Sequence, residues 1–258
     1  MEPVLTYFNL STAATVFSTT RHGGASKGLY GELNINPFCG DDKDAVLRNR
    51  RALAHALKIE EQRLVLPHQV HGTAIKAVDD DFFALTSEAR KRFVEGIDGI
   101  MTDCKGVSIG VSTADCIPII LYDEAHHAAA AVHAGWRGTV KRIAGKAVNA
   151  MTLRYGTRPE QLKALIGPGI SLKNFEVGDE VFDAFRHEGF DMNRIAVRYE
   201  KWHIDLPECN RLQLIETGVR AENITNSAIC TYDNAADYFS ARRLGINSGR
   251  IYTGIIVH

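Results

Sequence analysis

The sequence has no hydrophobic run long enough to cross a bilayer, no excess charge of either sign, and no close cysteine pairing. A membrane-spanning helix needs about 20 consecutive apolar residues. The longest apolar runs here are Ile117 to Tyr122 and Ala128 to His133, each the length of a buried strand. Met1 to Arg21 has neither a basic start nor a continuous apolar centre, so no secretory signal is expected. Thirty Lys and Arg stand against 31 Asp and Glu, a net charge of −1. A chain so balanced has no global field to draw it onto nucleic acid or an anionic membrane, and neither is expected as a partner. Five cysteines (Cys39, Cys104, Cys116, Cys209 and Cys230) are an odd number with no C-x-x-C pair. They read as reduced thiols of a cytoplasmic enzyme rather than as a disulfide framework.

What is present is an ordinary globular mixture, 45% hydrophobic and 24% charged in 258 residues, which excludes disorder. Strands are expected at Val4 to Leu10, Ala14 to Thr19, Leu64 to Pro67 and Ala74 to Val78. Four more follow at Gly99 to Asp103, Val107 to Ser112, Ile117 to Tyr122 and Ala128 to His133. Later ones are expected at Leu162 to Ile166, Trp202 to Leu206, Asn226 to Cys230 and Ile251 to Val257. Helical spacing marks Asp41 to Leu57, Phe82 to Val94, Gly178 to His187 and a segment from Pro207 to Gly218. A further helix is read as capped by Thr139, with Val140, Ile143, Ala144, Ala147, Val148 and Met151 on one face. Several strands follow one another directly, so an α+β fold with mixed sheets is expected. No linker or compositional break divides it, and residues 1–258 are read as one domain.

Three segments carry chemistry-bearing side chains at strand ends. In Pro67-His68-Gln69-Val70-His71-Gly72-Thr73, an extended backbone would turn His68 and His71 to opposite faces, so both cannot serve one site without a kink. His71, beside Gly72, is the better candidate, although alone the segment reads as a surface turn with two solvated histidines. In Ser112-Thr113-Ala114-Asp115-Cys116, a small polar turn brings Cys116 to the mouth of a sheet, where a functional thiol competes with inert packing. In Val132-His133-Ala134-Gly135-Trp136-Arg137-Gly138-Thr139, a strand delivers His133 to a Gly-bounded turn. The helix start beyond it and Arg137 favour an anionic group. His71, Cys116 and His133 lie 45 and 17 residues apart. Such long gaps suit a metal held by several strands with a fourth position open more than a structural zinc knuckle.

These segments resemble the hallmarks of the multicopper polyphenol oxidase, laccase-domain (YfiH-like) family, also described as a purine nucleoside phosphorylase family. They are His68-Gln69-Val70-His71-Gly72, Thr113-Ala114-Asp115-Cys116 and His133-Ala134-Gly135-Trp136-Arg137-Gly138. Ser18 to Gly24, Leu33-Asn34, Gly40-Asp41-Asp42, Asp98 to Asp103, Ile166 to Ile170, Phe239-Ser240 and Arg242-Arg243 extend the likeness along the chain. Ala241, where an aromatic residue is usual, and Cys39, where an aliphatic one is, depart from the pattern.

The resemblance implies a layered α-β-β-α sandwich similar to the catalytic domain of the cytotoxic necrotizing factor toxins. It implies a metal, zinc before copper, held by His71, Cys116 and His133. It also implies phosphorolysis of adenosine, inosine, guanosine and methylthioadenosine, with deamination of adenosine. Purine nucleosides and phosphate are the expected small-molecule partners. Arg21 and Arg137 are the expected phosphate contacts, and Gln69 and Asp115 complete the expected substrate-binding set, Asp115 being the carboxylate nearest the ligands. Four rivals stand beside this reading. They are a metal-free Cys–His hydrolase or deamidase, a peptidoglycan-precursor editing enzyme, a copper polyphenol oxidase, and a non-enzymatic metal- or nucleoside-binding protein. For the last, His68 or Cys230 would supply a fourth ligand. Copper oxidase chemistry is the hardest to build, because one mononuclear ligand set does not supply the several coppers of four-electron oxygen reduction.

Overall fold

A computed structural model describes residues 1–258. Two sheets dominate it. The first has the strands β1 (Leu5–Phe8), β2 (Ala14–Thr19), β14 (Ile251–Val257), β6 (Ser108–Thr113) and β3 (Leu64–Val65), in that spatial order. The second runs β13 (Ile224–Asn226), β9 (Lys163–Ile166), β7 (Ile117–Asp123), β8 (Ala128–Ala134), β5 (Gly99–Thr102) and β4 (Ile75–Ala77). Both are mixed, because β3 pairs with β6, β4 with β5 and β13 with β9 in parallel while the remaining pairs are antiparallel. A small third sheet joins β10 (Glu176–Val177), β12 (Trp202–Ile204) and β11 (Ala196–Arg198).

Side chains two apart on a strand share a face, and this assigns the layers. Ile120 and Tyr122 of β7, with Ala129 and Ala131 of β8, pack against Val16, Ile109, Val111 and Ile255, so the two sheets lie face to face. Ile117, Ile119 and Leu121, with Ala130 and Val132, turn the other way. They are covered by α5 (Ile143–Tyr155), α6 (Asp179–His187) and α8 (Leu206–Glu216). On the far side, Phe17, Tyr252 and Ile256 meet Leu53 of α1 (Lys43–Ala56). The succession is helix, sheet, sheet, helix. β7 and β8 are buried at every position because both their faces are covered, which is why they appear in the sequence as unbroken apolar runs.

Three local expectations are corrected. The helix expected over Phe82 to Val94 is two, α2 (Asp80–Ala84) and α3 (Ser87–Phe93), divided at an extended Leu85 and restarted by the Thr86 hydroxyl accepting from the Ala89 N–H. Thr139 caps nothing. Its helix, α4 (Trp136–Val140), starts earlier with Gly135 as N-cap, and the chain breaks at left-handed Arg142 before α5 begins. The strand expected over Asn226 to Cys230 ends at Asn226, whose side-chain oxygen accepts from the Ala228 N–H at 2.9 Å and closes a turn. Two short helices, α7 (Met192–Ile195) and α9 (Ala241–Leu244), complete the set.

Candidate metal centre

His133 is the next-to-last residue of β8, on the face turned toward the other sheet. It is buried, with its backbone N–H donating to Asp98 O at 2.7 Å and its ring Nδ1–H to Asp98 Oδ1 at 2.7 Å. Asp98, fully buried just before β5, also receives the backbone N–H groups of Val70 (3.2 Å), His71 (2.9 Å) and Gly72 (2.7 Å). One carboxylate therefore orients the His133 ring and folds the loop that carries His71. Residue 71 itself is left-handed, φ 60°, and that kink separates the two histidines of the segment. His71 Nε2 turns to Cys116 Sγ at 3.9 Å. His68 turns away to Glu95 Oε1 at 2.6 Å, with Phe38 stacked on its ring.

Cys116 follows Asp115, another left-handed residue, φ 88°. The Asp115 carboxylate accepts from Thr231 Oγ1 at 2.7 Å and from the Arg242 N–H at 2.6 Å, tying the thiol-bearing turn to the C-terminal third of the chain. Gln69 joins the two ligand loops, its amide donating to Ser112 O and accepting from the Ser112 N–H, both at 2.8 Å. Gln69 and Asp115, expected at the substrate, thus engage protein partners. Arg21 Nε and Nη1 donate to the carbonyls of Gly31 and Ala235, while exposed Arg137 stacks on Trp136.

The donor atoms of His71, Cys116 and His133 lie within 4.8 Å of one another. In a tetrahedral zinc site with bonds of about 2.0–2.3 Å, neighbouring donors sit about 3.3–3.8 Å apart, so the widest pair must close by roughly 1–1.5 Å while His71 Nε2 and Cys116 Sγ, at 3.9 Å, are nearly in place. The Asp98 hydrogen bond leaves His133 Nε2 as the free donor, the usual carboxylate–histidine support of a ligand. No fourth His, Cys, Asp or Glu joins the group, and Cys230 instead accepts from Ser171 N and Asn174 Nδ2. The residues present fit a zinc ion with one position left for a small molecule.

Electrostatics make the Cys116 sulfur a thiolate and leave a proton on His133 that an entering metal must displace. Burial alone would push the Cys116 thiol up, but the His133 and His71 rings beside it lower its pKa to about 6. Burial disfavours charge on His133, yet the Cys116 thiolate and Asp98 raise it to about 9. Burial would raise Asp98 as well, and His133 with the surrounding amides outweighs it, so Asp98 stays ionised. Gly135 completes the enclosure, since a Cβ there would lie 2.9 Å from His71 Cδ2 and 3.1 Å from Cys116 Sγ. In the sequence Asp98 stands out only as part of the segment Asp98 to Asp103. Its own signal was an acid immediately before a strand of which every residue is buried.

Residues 15–258 match the model of the multi-copper polyphenol oxidoreductase laccase family. The chain belongs to this family. It is 43% identical, over 99% of its length and 96% of the relative's, to a purine nucleoside phosphorylase of Bacteroides thetaiotaomicron. It is 44% identical to adenosine deaminase RL5 of an unknown prokaryotic organism, covering 93% of this chain and 92% of that one. The crystal structure of YlmD from Geobacillus stearothermophilus matches with a TM-score of 0.89 and 34% identity, over 97% of this chain and 94% of that one. Family members related to this chain thus carry the names of enzymes of nucleoside metabolism. No helix is long and apolar enough to cross a membrane.

Proposed function

We propose that the chain is a zinc-dependent purine nucleoside phosphorylase of the cytoplasm that also deaminates adenosine. The single observation that carries this reading is the convergence of His71, Cys116 and His133 under one buried carboxylate; the names of the relatives supply the substrate class. A bound zinc ion supplies a Lewis acid at the open position. The chain's residues do the rest. Asp98 keeps the proton on His133 Nδ1 and holds the His71 turn, so both imidazoles offer Nε2. Gly135 permits the close packing of the three donors. Arg137, exposed beside the site, and Arg21 are the proposed contacts for phosphate as it attacks C1′ of the ribose and the purine departs.

The test is incubation of the zinc-loaded protein with adenosine, with and without phosphate, followed by separation of products. Adenine with ribose 1-phosphate is expected only when phosphate is present, and inosine in either case. Absence of every such product overturns the proposal. A second reading is favoured by the low pKa of Cys116 beside a protonatable His133: a metal-free hydrolase with Cys116 as nucleophile. Zinc that is stoichiometric in the native protein and lost in Cys116→Ser supports the ligand role. Full activity under chelation supports the nucleophile.

A further inference from the structure

A cavity of about 680 Å³ opens beside β3, the end strand of the first sheet, between α1 and α3. None of His71, Cys116 and His133 lines it. Its apolar wall includes Val46, Leu66 and Val94, all buried. Lys43, Arg50, Arg90 and Lys91 also line it, against one carboxylate, Glu95, which His68 already engages. None of the four cations makes an ion pair. Arg50 is half-buried, and its one hydrogen bond runs from Nη2 to Leu64 O at 2.8 Å. Burial lowers its pKa, and Tyr252 and Glu61 oppose that only in part, as expected of a cation withdrawn from water with no carboxylate in contact.

An unpaired guanidinium in an apolar cleft is costly unless an anion meets it, and its planar fork matches a carboxylate. The volume falls within the range of about 300–1,000 Å³ usual for small-molecule sites. We propose that the cavity is a second binding site, for a monoanionic amphiphile of the fatty-acid class. Its carboxylate meets Arg50, and its chain lies along Val46, Leu66 and Val94. A single charge is assigned to the head group because Arg50 is the inner cation, whereas Lys43 and Lys91 are exposed and half-buried Arg90 turns its Nε to Leu85 O at 3.0 Å.

Displacement of 8-anilinonaphthalene-1-sulfonate by dodecanoate, followed by fluorescence below the micellar concentration, tests this without reference to catalysis. Dodecanoate is expected to displace the probe, and dodecanol at least tenfold less well. Arg50→Met is expected to weaken dodecanoate tenfold or more. Leu47→Glu should do the same by bringing a negative charge to the lining, and Leu47 is already 38% exposed, so folding is spared. Each of four outcomes overturns the proposal: no displacement at millimolar dodecanoate, equal displacement by dodecanol, no weakening in Leu47→Glu, or dodecyl phosphate binding tenfold tighter than dodecanoate. Sedimentation showing that a second copy of the chain covers the cavity overturns it as well.

Discussion

Replacing Asp98 with asparagine keeps the side chain's volume and removes its charge and two of its acceptor positions. In the native protein Oδ1 receives His133 Nδ1 and the His71 N–H, while Oδ2 receives the N–H groups of Gly72 and Val70. Whichever way the asparagine amide is turned, one of these pairs of donors faces an NH₂ group. Two charge-assisted hydrogen bonds are lost, each worth about 1.5–3 kcal/mol, so the metal-free protein should lose about 3–6 kcal/mol of stability. The ligand geometry loosens too, and loss of such a support typically lowers metal affinity by about 10–100-fold. Urea unfolding of the metal-free protein gives the first quantity, and zinc competition against a chromogenic chelator gives the second. A stability loss accompanied by unchanged zinc affinity would refute the claim that this carboxylate positions the ligands.

Gly135→Ala should leave the protein folded but push apart His71 and Cys116, lowering turnover on the order of 10²-fold; near-native turnover and zinc content would show that the glycine packing is dispensable. In the metal-free protein the far-ultraviolet absorbance of the Cys116 thiolate should appear with a midpoint of about 6. Because protons compete for His133 Nε2, held at about 9, as well as for the sulfur, zinc affinity should fall as pH drops below about 9 and more steeply below about 6. A midpoint in the ordinary thiol range, or the same signal in Cys116→Ser, would count against the paired site. Arg21→Ala should raise the phosphate concentration needed for phosphorolysis while deamination persists. Loss of its two carbonyl contacts should also cost about 1–3 kcal/mol of stability, read by thermal unfolding. Equal loss of both activities would assign Arg21 a structural role alone.

The strands were legible wherever burial on both faces wrote a continuous apolar run, as in β7 and β8. They were misjudged where a side chain intervened, as Asn226 does by closing a turn on Ala228. Helix boundaries failed for a related reason. Thr139 has the chemistry of a cap, but its hydroxyl is buried and receives Asn210 Nδ2 at 3.2 Å, a tertiary contact that local spacing does not encode. The three donor residues could be named because each stands at a strand end in an unusual turn. Their convergence could not be read from spacing, since it depends on two left-handed residues, His71 and Asp115, outside the conformations most side chains prefer. Gln69 and Asp115 lie so close to the donors in sequence that they read as substrate contacts. Their hydrogen bonds to Ser112, Thr231 and Arg242 cross 43 to 127 residues of chain.

The position of β14 bears on how a nascent chain matures. Ile251–Val257 is inserted between β2 and β6, both of which leave the ribosome long before it does. Until then the first sheet has a gap at its centre, with two apolar edges open to mispairing. The sheet therefore cannot grow stepwise from the N-terminus; it closes only once β14 has been made, and that closure is its late folding event.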